Sequence, residues 1–361
     1  MAEETYCPLA KADCFRDVTE YHERVSGERA PLRPGELLDD RYLITDILSR
    51  GGMGTVFKAE DTQAQGRLVA VKVPHAQSQC QCDPVFMERF ESEERIGLEL
   101  NHPFILKHFN VEGGKSRPYV VTEYLRGCTL EHLLKAARPL PEKDALKIAS
   151  LICEALQYMH EHAVIHRDLK PQNVMLCCDG TIRIMDFGIA RKMSARRATA
   201  VASDSNLGTA DYMAPEQVEG RRGDARTDIY NLGALLYEML AGTTPFTDEN
   251  AWSAMHARVT SDPVAPGKVN PKLSAEAEEI VLRALQRDPD KRFPSAAAMK
   301  VALDCPESVH VTGLASRLMD AISRKASLRR AWLLVAAIVS PVAIVLLVLI
   351  LLLARGHAGI F

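Results

Sequence analysis

The sequence predicts an α+β protein of two lobes, a strand-rich one followed by a helical one, with a cleft between them and one apolar segment near the C-terminal end. Three observations carry that prediction. Between Arg41 and Leu125 apolar residues alternate at period two around glycine-rich and charged turns. From Glu142 onward they recur at three- and four-residue spacing, and residues 331–354 hold no charged side chain.

Composition narrows the class. The chain of 361 residues is 47% hydrophobic and 25% charged, which is ordinary for a globular protein. A formal net charge of -3 argues against a polyanionic partner, so nucleic acid is excluded as an expectation. Nine cysteines in no regular framework read as free thiols of a reducing compartment. The N-terminal MAEETYCPLAKADCFRD has acids where a secretory signal carries positive charge.

Taken in order, residues 1–40 are polar and acidic and read as an N-terminal extension. Residues 41–304 form the main domain. YLITDILSR and TVFKAED flank a glycine cluster, RLVAVKV alternates as a strand, and residues 84–100 read as a helix. PYVVTEYL (118–125) returns to strand. Residues 142–161 place Ala145, Ile148, Ala149, Ile152, Ala155, Leu156 and Met159 on one helical face, and further helices are predicted at 229–241, 250–259, 274–286 and 295–303.

Residues 305–330 read as a basic juxtamembrane linker and 331–354 as a transmembrane helix, with 355–361 as a short extracytoplasmic tail. Twenty-four helical residues at ~1.5 Å each span about 36 Å, enough for a hydrocarbon core of ~30 Å. Arg317, Arg324, Lys325, Arg329 and Arg330 precede the span and Arg355 alone follows it. That asymmetry puts the main domain on the cytoplasmic side of a cell (inner) membrane.

Four strings carry chemistry. LSRGGMGTVFKAED (48–61) is a glycine-rich turn between strands, where backbone can close over phosphates. Lys72 of AVKV follows on the next strand, able to reach phosphate oxygens. In HRDLKPQN (166–173), Asp168 can accept a proton from an attacking hydroxyl, Lys170 can neutralise transferring phosphate, and Asn173 can ligate a metal. DFG (186–188) places the carboxylate Asp186 beside a glycine hinge, a hard oxygen ligand suited to Mg2+. The fourth string is GTADYMAPEQ (208–217).

With these strings the chain resembles the eukaryotic-like protein kinase superfamily, and most nearly its bacterial serine/threonine kinases, over roughly residues 41–304. The resemblance implies the bilobal protein kinase fold, with ATP and Mg2+ (or Mn2+) between the lobes and a protein Ser/Thr substrate on the helical one. It implies that Lys72 holds the α- and β-phosphates and pairs with Glu93, and that Asp168 is the catalytic base aided by Lys170. Asn173 and Asp186 become the metal ligands, and Thr209 of the GT pair joins the catalytic set. Leu48, Ser49, Gly51, Gly52 and Gly54 cover the nucleotide, Val56, Ala70 and Met175 line its pocket, and Thr122, Glu123 and Leu125 border the adenine. Ser49 stands where the family usually has its first loop glycine, for which a modest effect on nucleotide affinity is expected. Glu216 is expected to pair with Arg292, and Asp228 to brace the catalytic loop.

Thr199, Ser203 and Ser205 are the expected regulatory phosphosites, with Arg167 poised to pair with a phosphate and a transient homodimer serving trans-autophosphorylation. The alternative is a membrane-tethered pseudokinase scaffold, disfavoured because Lys72, Asp168 and Asp186 are all present. A small-molecule phosphotransferase is disfavoured by the APE segment. Cys7, Cys14, Cys80 and Cys82 fit a zinc site poorly, so free thiols are expected there, and Cys177 and Cys178 read as small buried hydrophobes.

Overall fold

The computed structural model describes residues 32–51, 54–74, 84–186, 211–247 and 250–317. The alternating stretches form one antiparallel sheet from β1 (Leu37–Leu38), β2 (Tyr42–Gly51), β3 (Gly54–Asp61), β4 (Arg67–Pro74), β5 (His108–Phe109) and β6 (Val120–Glu123). The strand order is β1-β2-β3-β4-β6-β5. Period two divides this sheet by face. Phe57, Ala59, Val69, Val71, Val73 and Val121 are buried with Leu32, Leu38, Tyr42, Ile44 and Tyr119 in an apolar core. The register pairs Val56 with Lys72, Lys58 with Ala70 and Ala70 with Thr122, so these residues share the opposite face. Helix α1 (Pro84–Glu99) follows β4, within one residue of its predicted range.

The first lobe begins earlier in the chain than alternation from Arg41 suggests. Leu32 and Leu38 belong to its core, and Leu37 and Leu38 pair with Leu43 and Tyr42. A two-residue strand is too short to carry a period-two signal. Asp39 fastens its turn by accepting from the Ser116 N–H at 3.2 Å and the Tyr119 hydroxyl at 2.8 Å.

The second lobe holds β7 (Gly127–Thr129), α2 (Leu130–Ala136), α3 (Glu142–Glu161), β8 (Val174–Cys177) and β9 (Ile182–Ile184). After them come α4 (Pro215–Val218), α5 (Ala225–Ala241), α6 (Ala251–Thr260), α7 (Pro266–Val269), α8 (Ala275–Ala284) and α9 (Ala296–Asp304). Helix α5 is its centre: every residue from Thr227 to Ala241 is buried. It starts four residues before the predicted 229, because Asp224 caps it by accepting from the Arg226 N–H. The polar Thr227, Asp228 and Asn231 interrupt its apolar pattern, yet each is buried with hydrogen-bond partners. Gly242, with φ +78°, ends the helix in the left-handed region. Asn250, Ser274 and Ser295 cap α6, α8 and α9 in the same way as Asp224 caps α5.

The cysteine pair at the end of β8 separates. Cys177 is buried as expected, but Cys178 is exposed, since neighbours at a strand end point to opposite sides. Among the described residues no helix is long and apolar enough to cross a membrane, and the predicted span at 331–354 lies outside them, as do Cys7, Cys14, Cys80 and Cys82.

Candidate active site

Two strands and a helix bring the first charged cluster together. Lys72 stands on the exposed-side register of β4, opposite the residues that fill the core. Its Nζ donates to Glu93 Oε1 of α1 at 2.9 Å and to Asp186 Oδ1, just beyond β9, also at 2.9 Å. The Asp186 side chain is 54% exposed, whereas those of Lys72 and Glu93 are about four-fifths covered, at 21% and 19% exposed. Burial works against the charge of Lys72, but Asp186 and Glu93 outweigh it and raise the ammonium pKa. The Lys72 charge holds the Asp186 carboxyl below its ordinary value. Burial pushes Glu93 up, with Asp186 as a like-charged neighbour.

The second cluster is the 166–173 loop, and the helical lobe holds it from beneath. Asp228 of α5 is wholly buried and accepts from the His166 N–H at 2.9 Å and the Arg167 N–H at 2.7 Å. His160, at the end of α3, donates to the same carboxylate at 2.7 Å. Gln217 of α4 donates to the Arg167 carbonyl at 2.7 Å and accepts from the Ala214 N–H at 2.9 Å. With these partners the loop keeps Arg167 at φ +62°, and Asp186 stands nearby at φ +49°, both uncommon for residues with a Cβ. The side chains then converge. Asp168 Oδ2 accepts from Lys170 at 2.9 Å and from Asn173 Nδ2 at 3.1 Å. Asn173 Nδ2 also donates to the Asp168 carbonyl at 2.8 Å, which turns its amide oxygen away from Asp168. That oxygen and the Asp186 carboxylate are hard donors, and two protein oxygens completed by phosphate and water fit Mg2+.

The other predicted residues divide into two groups. Leu48 falls at an irregularity in the β2–β3 register, and Ser49 pairs with Val56. Gly54 lacks room for a Cβ, which would stand 2.5 Å from the Val73 carbonyl oxygen, so close packing on β4 requires glycine there. At Gly51 a Cβ would meet nothing closer than 4.0 Å. Ala70 and Thr122 face each other across β4 and β6, and Met175 lies on β8 opposite Thr129. The Glu123 N–H is spent on the Lys107 carbonyl at 2.9 Å, and its side chain accepts from the Lys107 N–H and Arg183. Leu125 follows β6 as irregular, half-buried chain. Gly52, Thr199, Ser203, Ser205 and Thr209 lie outside the described residues.

Farther down, Glu216 and Arg292 form a bidentate pair at 2.7 and 2.8 Å. His160 and Gln217 are supports that no local pattern announces, since Gln217 meets the Arg167 carbonyl from 50 residues away and His160 meets the bracing Asp228 from 68 residues away.

The protein kinase domain family matches residues 42–303. The chain belongs to that family. A probable serine/threonine-protein kinase of Streptomyces coelicolor is 40% identical over 271 residues, covering 74% of this chain and 40% of that protein. The serine/threonine-protein kinase PknB of Mycobacterium tuberculosis is 37% identical over 270 residues, covering 74% of this chain and 43% of its own length. The chain therefore spans about two-fifths of the length of the curated relatives it matches. The crystal structure of the Mycobacterium tuberculosis PknI kinase domain superposes with a TM-score of 0.59 at 26% identity, covering 76% of this chain and 99% of that one. With these relatives the chain carries a protein kinase domain of bilobal fold, similar to bacterial serine/threonine-protein kinases.

Proposed function

We propose that this kinase transfers the γ-phosphoryl group of ATP to serine and threonine hydroxyls of proteins, from a cytoplasmic domain anchored to the inner membrane by residues 331–354. The observation that carries the reading is Lys72, joined at 2.9 Å to both Glu93 and Asp186 on the sheet face opposite the core. It presents a fixed positive charge to phosphate oxygens. Asn173 and Asp186 would hold Mg2+ (or Mn2+), which would supply neutralisation of phosphate charge. Asp168 keeps one carboxylate oxygen on Lys170 and Asn173, leaving the other to orient a hydroxyl and take its proton. The hydroxyl oxygen bonds to the γ-phosphorus as the bond to the β-γ bridging oxygen breaks, ADP leaves, and Lys170 offsets charge on the group in flight.

Arg167, beside the base, would receive a phosphate placed on Thr199, Ser203 or Ser205, a step between two transiently paired copies. Phosphate transfer from radiolabelled ATP to a protein substrate tests the reading: wild type labels, and Asp168→Asn does not. Equal labelling by both would refute it.

A further inference from the structure

Three acids near the 166–173 loop are each met by a cation of the chain itself. Glu131 of α2 accepts from Gln172 of the loop at 2.8 Å and pairs with Lys135 at 3.1 Å. Glu238 of α5 accepts from the Tyr212 hydroxyl at 2.5 Å and faces Arg138 at 3.7 Å. Lys135 and Arg138 reach in from the surface, each with a side chain 52% exposed. The third acid is met from within. Asp211 pairs at 3.4 Å with Arg258 of α6, whose side chain is 1% exposed and whose Cζ lies 5.9 Å from the Phe246 ring centroid. Arginine does not give up its proton in proteins, so α6 carries a full charge inside the lobe. A buried charge is costly without an acid to face it, and Asp211 is that acid.

Asp211 stands beside the path of a substrate hydroxyl to Asp168. Its neighbour Tyr212 has its carbonyl held by Asn231 Nδ2 at 2.6 Å. Asn231 donates also to Gln217 at 2.9 Å, and Gln217 holds the Arg167 carbonyl next to the base. The segment carrying Asp211 is thereby fixed to the loop carrying Asp168. The Asp211 side chain keeps 38% exposure, so one side of the carboxylate meets solvent and the other meets Arg258. Left uncompensated, that carboxylate would attract lysine or arginine beside the target hydroxyl and repel acid. The chain's own expected target, Ser203, has Ala202 before it and Asp204 after it, flanks that an uncompensated Asp211 would disfavour.

We propose that Arg258 is a specificity-determining residue: by neutralising Asp211 from beneath, it directs the kinase to protein hydroxyls with uncharged or acidic neighbours and away from a requirement for basic ones. Arg258 itself touches no substrate. The proposal rests on the proposed function above, whose substrates it narrows.

The test uses the full chain purified in detergent and a peptide library with one fixed serine and randomised flanks, read by sequencing the phosphorylated products. Partial burial raises the Asp211 carboxyl above its ordinary 3.8 and Arg258 opposes that, so the library is run at about pH 8 to keep the carboxylate ionised. The readout is the ratio of Lys and Arg to Asp and Glu beside the serine. Wild type should show no basic enrichment. Arg258→Met should raise the ratio about threefold or more at one flanking position, the scale of a partly exposed ion pair. Asp211→Asn should lower the ratio at that position, because it leaves the guanidinium alone. The double variant removes both charges and should return the ratio to within about twofold of wild type. Loss of packing alone would lower melting temperature and turnover without this reversal of sign. Should Arg258→Met not fold, Asp211→Asn decides, since its side chain is partly exposed. Basic enrichment by wild type, an unchanged ratio in either single variant, or enrichment that survives in the double variant would overturn the proposal. Absence of any transfer by wild type is a separate outcome and refutes the proposed function instead.

Discussion

Glu216→Ala is the substitution whose cost the structure defines most closely. The Arg292 guanidinium is wholly buried, and the Glu216 side chain is 4% exposed. Two of its bonds go to Glu216, at 2.7 and 2.8 Å, and three go to the carbonyls of Gln286, Arg226 and Arg287. Its Cζ lies 5.0 Å from the Tyr230 ring centroid. Removing Glu216 leaves a full charge inside the lobe with only neutral acceptors, a loss of about 3–5 kcal/mol. Thr227→Val deletes a single 2.8 Å hydrogen bond to the same carboxylate and should cost about 1.5–3 kcal/mol. Replacing Glu216 and Arg292 together by leucine should cost less than Glu216→Ala, because no uncompensated charge remains. Urea unfolding followed by far-UV circular dichroism ranks the three. A Glu216→Ala loss under about 1 kcal/mol would show that the Arg292 charge is not desolvated as described. The same pair fixes a pH dependence. Burial raises the Glu216 pKa, but the Arg292 bonds and charge outweigh it and hold it below the ordinary value of 4.5. A group depressed on folding contributes its stability above its unfolded pKa and loses it as pH falls through the folded one. The gap between wild type and Glu216→Gln should therefore be full above pH 4.5 and narrow below it.

Other outcomes follow from the site and the proposed function. Lys72→Met and Asp186→Asn should each reduce phosphoryl transfer about a hundredfold to a thousandfold, with melting temperature kept, because each loses an electrostatic contact to the transition state. A folded Asp186→Asn protein with wild-type turnover would refute the role of Asp186. Mass spectrometry of active protein should find phosphate within 199–205, foremost on Ser203, and an unmodified segment beside phosphate elsewhere would count against it. A tag placed after Phe361 should be digested by protease added to right-side-out cells while the kinase domain is spared, and the opposite pattern would reverse the orientation. Deleting 331–361 should release a soluble protein with activity retained.

Residues that meet along one strand or one loop were legible before the fold was known. Lys72 could be placed because a strand register fixes its face, and Asp168, Lys170 and Asn173 because they sit within one short loop. The limits lie where partners come from distant segments. The resemblance names Glu93 as the partner of Lys72, yet Lys115, which pairs with the neighbouring Glu94, carries no such mark. At Gly97 a Cβ would overlap the His108 ring, a reason for a missing side chain that comes from outside the helix. Strand β1 carries no sequence signal, because two residues cannot display a period. Cys177 and Cys178 look alike in sequence, but adjacency at a strand end gives them separate environments.

The division of the first sheet by residue parity has a pharmacological consequence. Phe57, Ala59, Val69, Val71, Val73 and Val121 are committed to the core, so changes there carry the penalty of a packing defect. Val56, Ala70 and Thr122, one step out of phase, are free of that core and on the proposed function face the nucleotide. An ATP-competitive inhibitor would press on the tolerant set alone. Resistance should therefore arise first at Thr122, Ala70 and Val56, with little loss of folding stability. A compound that instead gained its affinity from backbone groups of 123–125 would give the chain fewer such exits, since a side-chain substitution leaves those groups in place.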